Sequence, residues 1–70
     1  MKFNKSDFAK DIKLSRKEKG LNCRKAATEI GISPATLSRI ENEKFTPDVW
    51  TLYKCCKWMD LEDYMKVYFE

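Results

Sequence analysis

Ala35, Ser38, Arg39 and Asn42 are spaced so that a helix turning Leu37, Ile40 and Glu41 inward would hold all four on its outer face. The chemistry offered there is hydrogen bonding to flat polar edges. The guanidinium fork of Arg39 matches O6 and N7 of a guanine, a contact worth about 1 to 3 kcal/mol of discrimination. Ser38 suits a base or a phosphate, and the Ala35 methyl suits a thymine methyl. Upstream, Asn22, Cys23, Arg24 and Lys25 combine two cations with the free amides of a helix start, an arrangement that favours an anion such as phosphate. Asn42, Lys44 and Thr46 extend the same chemistry on the other side.

Bond-making chemistry is poorly provided for. The chain contains no histidine, so it lacks the usual general base and the commonest transition-metal ligand. Its three cysteines, Cys23, Cys55 and Cys56, have the spacing of neither a zinc site nor a Cys-x-x-Cys pair, and read as reduced thiols. The acids form no metal-loop pattern, and no glycine-rich phosphate loop is present. No enzymatic activity, cofactor, metal or small-molecule substrate is therefore expected.

Seventy residues, 43% hydrophobic and 36% charged, make one small globular domain, residues 1–70. The charge is uneven. Residues 1–44 carry eleven Lys and Arg against six acids, a net +5, whereas residues 45–70 carry three lysines against five acids, a net −2. Such asymmetry suits a chain with one face toward a polyanion. Neither a secretory signal nor a long apolar run is visible, which predicts a cytoplasmic protein with no membrane partner.

The elements that position these residues can be placed from the turn and capping signals. Ser6 is expected to cap a first helix over 7–19, with Phe8, Ala9 and Ile12 inward and Gly20 at its end. Asn22 caps a second over 23–30, with Ala26, Ala27 and Ile30 inward. Ser33 with Pro34 starts a third over 34–41. Asp48 caps a fourth over 49–58, with Val49, Leu52, Tyr53 and Cys56 at core spacing, and Asp60 starts a fifth from Leu61 to Phe69. Between the second and third helices, Gly31 supplies a positive φ, Ile32 plugs the gap and Ser33 caps the third helix. This is a helix-turn-helix spanning about 23–41, and two basic helices joined this way suggest DNA.

The run Arg16-Lys17-Glu18-Lys19-Gly20-Leu21, then Ala26-Ala27, Ile30-Gly31-Ile32-Ser33, Thr36-Leu37-Ser38-Arg39-Ile40-Glu41-Asn42 and Pro47, resembles the lambda-type phage repressor and Cro group, the XRE-like helix-turn-helix regulators. The resemblance spans about residues 12–64. It implies an all-α, five-helix lambda repressor-like domain that binds double-stranded DNA, with helix 34–41 in the major groove of an operator, acting as a transcriptional regulator and most simply a repressor. It also implies a structural ion pair between Arg16 and Glu41, loss of either partner costing about 3 to 5 kcal/mol. A homodimer is expected through the aromatic surplus of the last helix, Tyr64, Met65, Val67, Tyr68 and Phe69.

Three positions depart from the group's pattern. Cys23 stands where a phosphate-binding glutamine is usual, and Pro34 where a base-reading polar side chain is common. Glu43 replaces the glycine after Asn42, removing the easy left-handed residue and setting an acid near the phosphates. Modest affinity is expected, with readout shifted toward DNA shape. These departures leave open a protein-interaction module of the same fold, antitoxin-like or a controller subunit, working through its aromatic C-terminal helix. Salt-dependent binding to random duplex DNA separates the two readings.

Overall fold

Asn4, Asn22, Ser33 and Asp48 each accept, through a side-chain oxygen, the backbone N–H three residues on, at 2.7–3.1 Å. A helix begins after each: α1 (Lys5–Glu18), α2 (Cys23–Ile30), α3 (Pro34–Glu41) and α4 (Val49–Trp58). The computed structural model describes residues 2–61, 66, 68 and 69. The expected fifth helix, with Tyr64, Met65 and Val67, falls largely on residues that lie outside the described ones. Among the described residues the architecture is all-helical with four helices, and no helix is long and apolar enough to cross a membrane.

The expected cap of α1 is corrected. Asn4, not Ser6, starts the helix, because the Asn4 amide is held by the Tyr68 carbonyl at 2.6 Å while its side chain takes the Asp7 N–H. Long-range pairing thus places the helix start two residues early. Asp60 closes α4, and the helix it is expected to start lies largely outside the described residues. Asp60 lies at φ +59°, with its N–H on Lys57 O (3.1 Å) and the Leu61 N–H on Cys56 O (2.9 Å). The same pair of reverse bonds closes α1 at Gly20 and α3 at Glu43, which satisfies carbonyls that a helix end leaves open.

The core is built from Phe8 and Ile12 of α1, Ala26, Ala27 and Ile30 of α2, Leu37 and Ile40 of α3, Leu52, Cys55 and Cys56 of α4, and Tyr68. The alanine pair lets α3 approach α2 closely, and α3 also packs on α1. The expected inward face of α4 is partly wrong. Leu52 and Cys56 are buried, but Val49 and Tyr53 are exposed and Cys55 takes the inward place. With apolar residues on every side of α4, packing rather than periodicity chose the face.

The two chain ends clasp each other. Phe3 and Phe69 pair as an isolated antiparallel bridge, and Phe3, Phe8, Tyr68 and Phe69 form an aromatic cluster with ring centroids 5.0–6.2 Å apart. Tyr68 is fully buried, and its hydroxyl donates to Asp11 Oδ2 at 2.7 Å. This corrects its assignment to a dimer interface, since a side chain with no exposed surface in the single chain has none to offer a second copy. Phe69 is half-buried against Phe3.

Candidate nucleic-acid interface

The turn between α2 and α3 is three residues long, and each residue has its own task. Gly31, at φ +92°, reverses the chain, while its N–H and that of Ile32 both donate to Ala27 O, at 2.8 and 3.0 Å. A side chain at this φ would be strained even though space for a Cβ exists. Ile32 packs against the core, and Ser33 caps α3.

α3 is held at its far end by charge. Arg16 donates from Nε to Glu41 Oε2 at 2.8 Å and from Nη2 to Oε1 at 3.0 Å, and from Nη1 to the Leu21 carbonyl at 3.2 Å. The two side chains keep 17% and 7% of their surface exposed. The bond to Glu41 holds the guanidinium even more firmly protonated than usual. A planar fork meeting a carboxylate in two bonds fixes direction as well as distance, so the pair sets how the outer face of α3 is presented.

That outer face is open. Ala35, Ser38, Arg39 and Asn42 are all exposed. Ser38 and Asn42 are linked, with Asn42 Nδ2 donating to Ser38 O at 2.8 Å and to Ser38 Oγ at 3.4 Å. The Asn42 amide is thus engaged within its own helix. Its backbone N–H also bonds Ser38 O, as part of the α3 cap.

Cys23 brings the two helix starts together. Its Sγ lies 3.8 Å from the Pro34 carbonyl, which sets the first turn of α2 beside the first turn of α3. Burial, and then the nearby Glu41, push this thiol above its ordinary value against the opposing pull of Arg16. The side chain is therefore neutral and turned toward α3, and what Cys23 offers a phosphate is its backbone N–H. Around it Asn22, Arg24 and Lys25 are exposed; the Asn22 oxygen is spent on the Lys25 N–H at 2.8 Å, leaving its Nδ2 as a donor. At the other end of α3, Lys44 and Thr46 are exposed on a loop anchored by the half-buried Phe45. The Lys44 N–H closes the helix on Arg39 O at 2.8 Å. The expected readers, Ala35, Ser38 and Arg39, thus lie between two groups of phosphate-type donors.

Glu43 takes the left-handed conformation after all, at φ +59°. The turn forms without a glycine, because the bonds from Glu43 and Lys44 to Ile40 and Arg39 hold it in place. A side chain in this region costs about 1 kcal/mol relative to glycine. Glu43→Gly is therefore expected to raise the stability of the fold by roughly that amount, read as a higher urea midpoint at unchanged slope. The same change removes an exposed acid beside Lys44. An unchanged or lower midpoint would mean that the turn carries no strain.

Sequence reasoning missed a cluster on α4. Val49, Trp50 and Tyr53 are exposed together, Lys54 reaches the Gly31 carbonyl at 3.2 Å, and Trp58 donates its indole N–H to Glu29 at 3.0 Å. The available signal was the spacing of Trp50, Tyr53 and Lys57, which places two aromatic rings and a cation on one helical face.

Residues 12–61 match the helix-turn-helix family HTH_3. Among solved structures the fold is similar to that of an HTH_3 family transcriptional regulator from Vibrio cholerae, with 33% sequence identity and a TM-score of 0.73. The similarity covers 83% of this chain and 33% of that one, so the chain spans about a third of the length of the regulator it resembles. No curated protein sequence matches the chain.

Proposed function

The chain belongs to the helix-turn-helix family HTH_3, and on that premise we propose that it is a transcriptional regulator that lays α3 in the major groove of an operator, as a cytoplasmic repressor. The observation that carries this reading is the exposed outer face of α3, fixed at one end by the two-bond Arg16–Glu41 pair and flanked at the other by the free amides of α2. Arg39 reads a guanine, Ala35 and Ser38 contribute further base contacts, and Asn22, Cys23, Arg24, Lys25, Asn42, Lys44 and Thr46 hold the phosphates.

The test begins by selecting an operator from random duplexes. Arg39→Ala is expected to weaken binding to it by about 1 to 3 kcal/mol and to relax preference at one position of each half-site. Lys44→Ala should instead weaken all sequences alike and make the salt dependence shallower by about one charge. If Arg39→Ala leaves both the preferred sequence and the affinity intact, α3 is not the reading element.

One recognition helix covers only a few base pairs, and a twofold dimer supplies the second half-site, about one helical turn away. Tyr64, Met65, Val67 and Phe69 remain the surface assigned to this contact. Met65→Asp with Val67→Asp is expected to give a chain that keeps its helical circular dichroism, sediments as a monomer and binds operator far more weakly. A parent chain that is monomeric both free and on DNA would refute the dimer.

A further inference from the structure

Trp50 and Tyr53 lie on the outside of α4 with 63% and 40% of their surface exposed, their rings stacked at 5.6 Å and 20°. Lysines stand over the aromatic rings: Lys54 is 5.3 Å from the centre of Trp50, Lys57 is 5.6 Å from that of Tyr53, and Lys19 is 5.2 Å from that of Trp58. Between Tyr53 and Trp58 a shallow groove of about 220 Å³ runs along Ile30 of α2, rimmed by Glu29, Lys54 and Lys57. Glu29, the one carboxylate among these lining residues, accepts the Trp58 indole N–H through one oxygen and keeps its charge, so the rim carries two ammonium groups against one carboxylate. What faces outward is therefore aromatic surface with a net positive rim.

The groove lies at the C-terminal end of α2, whereas Asn22 to Lys25 lie at its start, about 12 Å away along an eight-residue helix. None of the residues assigned to base or phosphate contact lines it. An exposed stack of two large rings beside a groove is costly to leave in water and is the kind of surface that protein partners cover.

We propose that the α2–α4 groove docks an acidic segment of a partner protein, in which an apolar side chain flanked by carboxylates inserts between Tyr53 and Trp58. The carboxylates meet Lys54 and Lys57, which the rings below already hold in place, so little side-chain freedom is lost on binding. Charge disfavours a second copy of this chain, because a twofold contact at the groove would bring two net-positive rims together. That the segment binds while α3 occupies DNA rests on the function proposed above; the docking itself does not.

The experiment pans a displayed library of random dodecapeptides against the full chain. Enriched peptides are expected to carry an aromatic or branched apolar residue bracketed by Asp or Glu. A synthetic copy of the strongest should perturb the fluorescence of Trp50 and Trp58, the chain's two tryptophans. Its affinity should fall about tenfold or more with Lys57→Glu and with Trp50→Ala, both at the surface and both checked for unchanged circular dichroism. Panning against Lys57→Glu should lose the acidic preference. Arg39→Ala serves as the opposite control, losing operator and keeping the peptide, so failure of the DNA reading and failure of the docking site give different results. Enrichment without acidic bias, binding indifferent to Lys57→Glu, or a parent dimer that Trp50→Ala dissociates would each overturn the proposal, the last by making the occupant a second copy.

Discussion

Tyr68→Ala is expected to cost the domain about 3 to 5 kcal/mol, the range for removing a large buried ring and leaving its cavity. The total stability of a chain this size is about 4 to 10 kcal/mol, so the variant should be largely unfolded in mild urea. The loss falls on the side chain: Tyr68 packs edge-on against Phe8 at 5.0 Å and its hydroxyl bonds Asp11, while its backbone carbonyl, which alanine keeps, holds the amide that starts α1. Tyr68→Phe keeps the ring and loses only the last contact, a penalty nearer 1 kcal/mol because Asp11 keeps access to water. Urea titrations of the two variants separate packing from hydrogen bonding, and an alanine variant as stable as the parent would show that the chain ends do not clasp.

The same residue sets a pH response. Burial, reinforced by the bond to Asp11, holds the Tyr68 phenol above its ordinary value, and burial pushes the thiols of Cys55 and Cys56 up to about 12 and about 11. In the unfolded chain these groups ionise earlier. Above about pH 9 the unfolded state therefore binds fewer protons than the fold, and stability falls as pH rises, by up to about 1.4 kcal/mol per unit for each proton. Below that range these groups leave stability independent of pH. Tyr68→Phe removes the phenol's share, so the variant should lose less stability than the parent between about pH 10 and 12.

Arg16→Ala is expected to destabilise the fold by about 2 to 4 kcal/mol, somewhat below the full range for a buried pair because Arg16 keeps contact with solvent. The change strands Glu41, 7% exposed, without its partner and leaves the Leu21 carbonyl without its donor. Arg16→Lys should recover part of the loss, since an ammonium keeps the charge but cannot form two parallel bonds. A double-mutant cycle with Glu41→Ala isolates the interaction, with a coupling of about 1 to 3 kcal/mol expected. On the proposed function, operator binding by Arg16→Lys should weaken more than its remaining folded fraction explains, because α3 is then held at a less defined angle. Full additivity of the two alanine changes would make the pair an incidental surface contact.

Features settled within one helical turn were legible in the residues alone. The starts of α2, α3 and α4 fall where Asn22, Ser33 with Pro34, and Asp48 place them, because each cap bond spans only three residues and needs no distant partner. Gly31 marks the reversal for the same local reason, and the spacing of Leu37, Ile40 and Glu41 left Ala35, Ser38 and Arg39 on the outside of α3. Other features depended on long-range packing. α1 begins at Asn4 because a carbonyl at the opposite end of the chain holds its amide, a contact absent from any local window. α4 is apolar nearly all round, so the burial of Cys55 and the exposure of Tyr53 were fixed by how the helix packs on its neighbours. Glu43 and Asp60 sit in a left-handed conformation their own chemistry disfavours, since two backbone bonds at each helix end outweigh the local cost. Tyr68 offered the same aromatic surface to a second copy or to its own core. The space beside Phe8 and the oxygen of Asp11 drew it inward, and both exist only once α1 has folded.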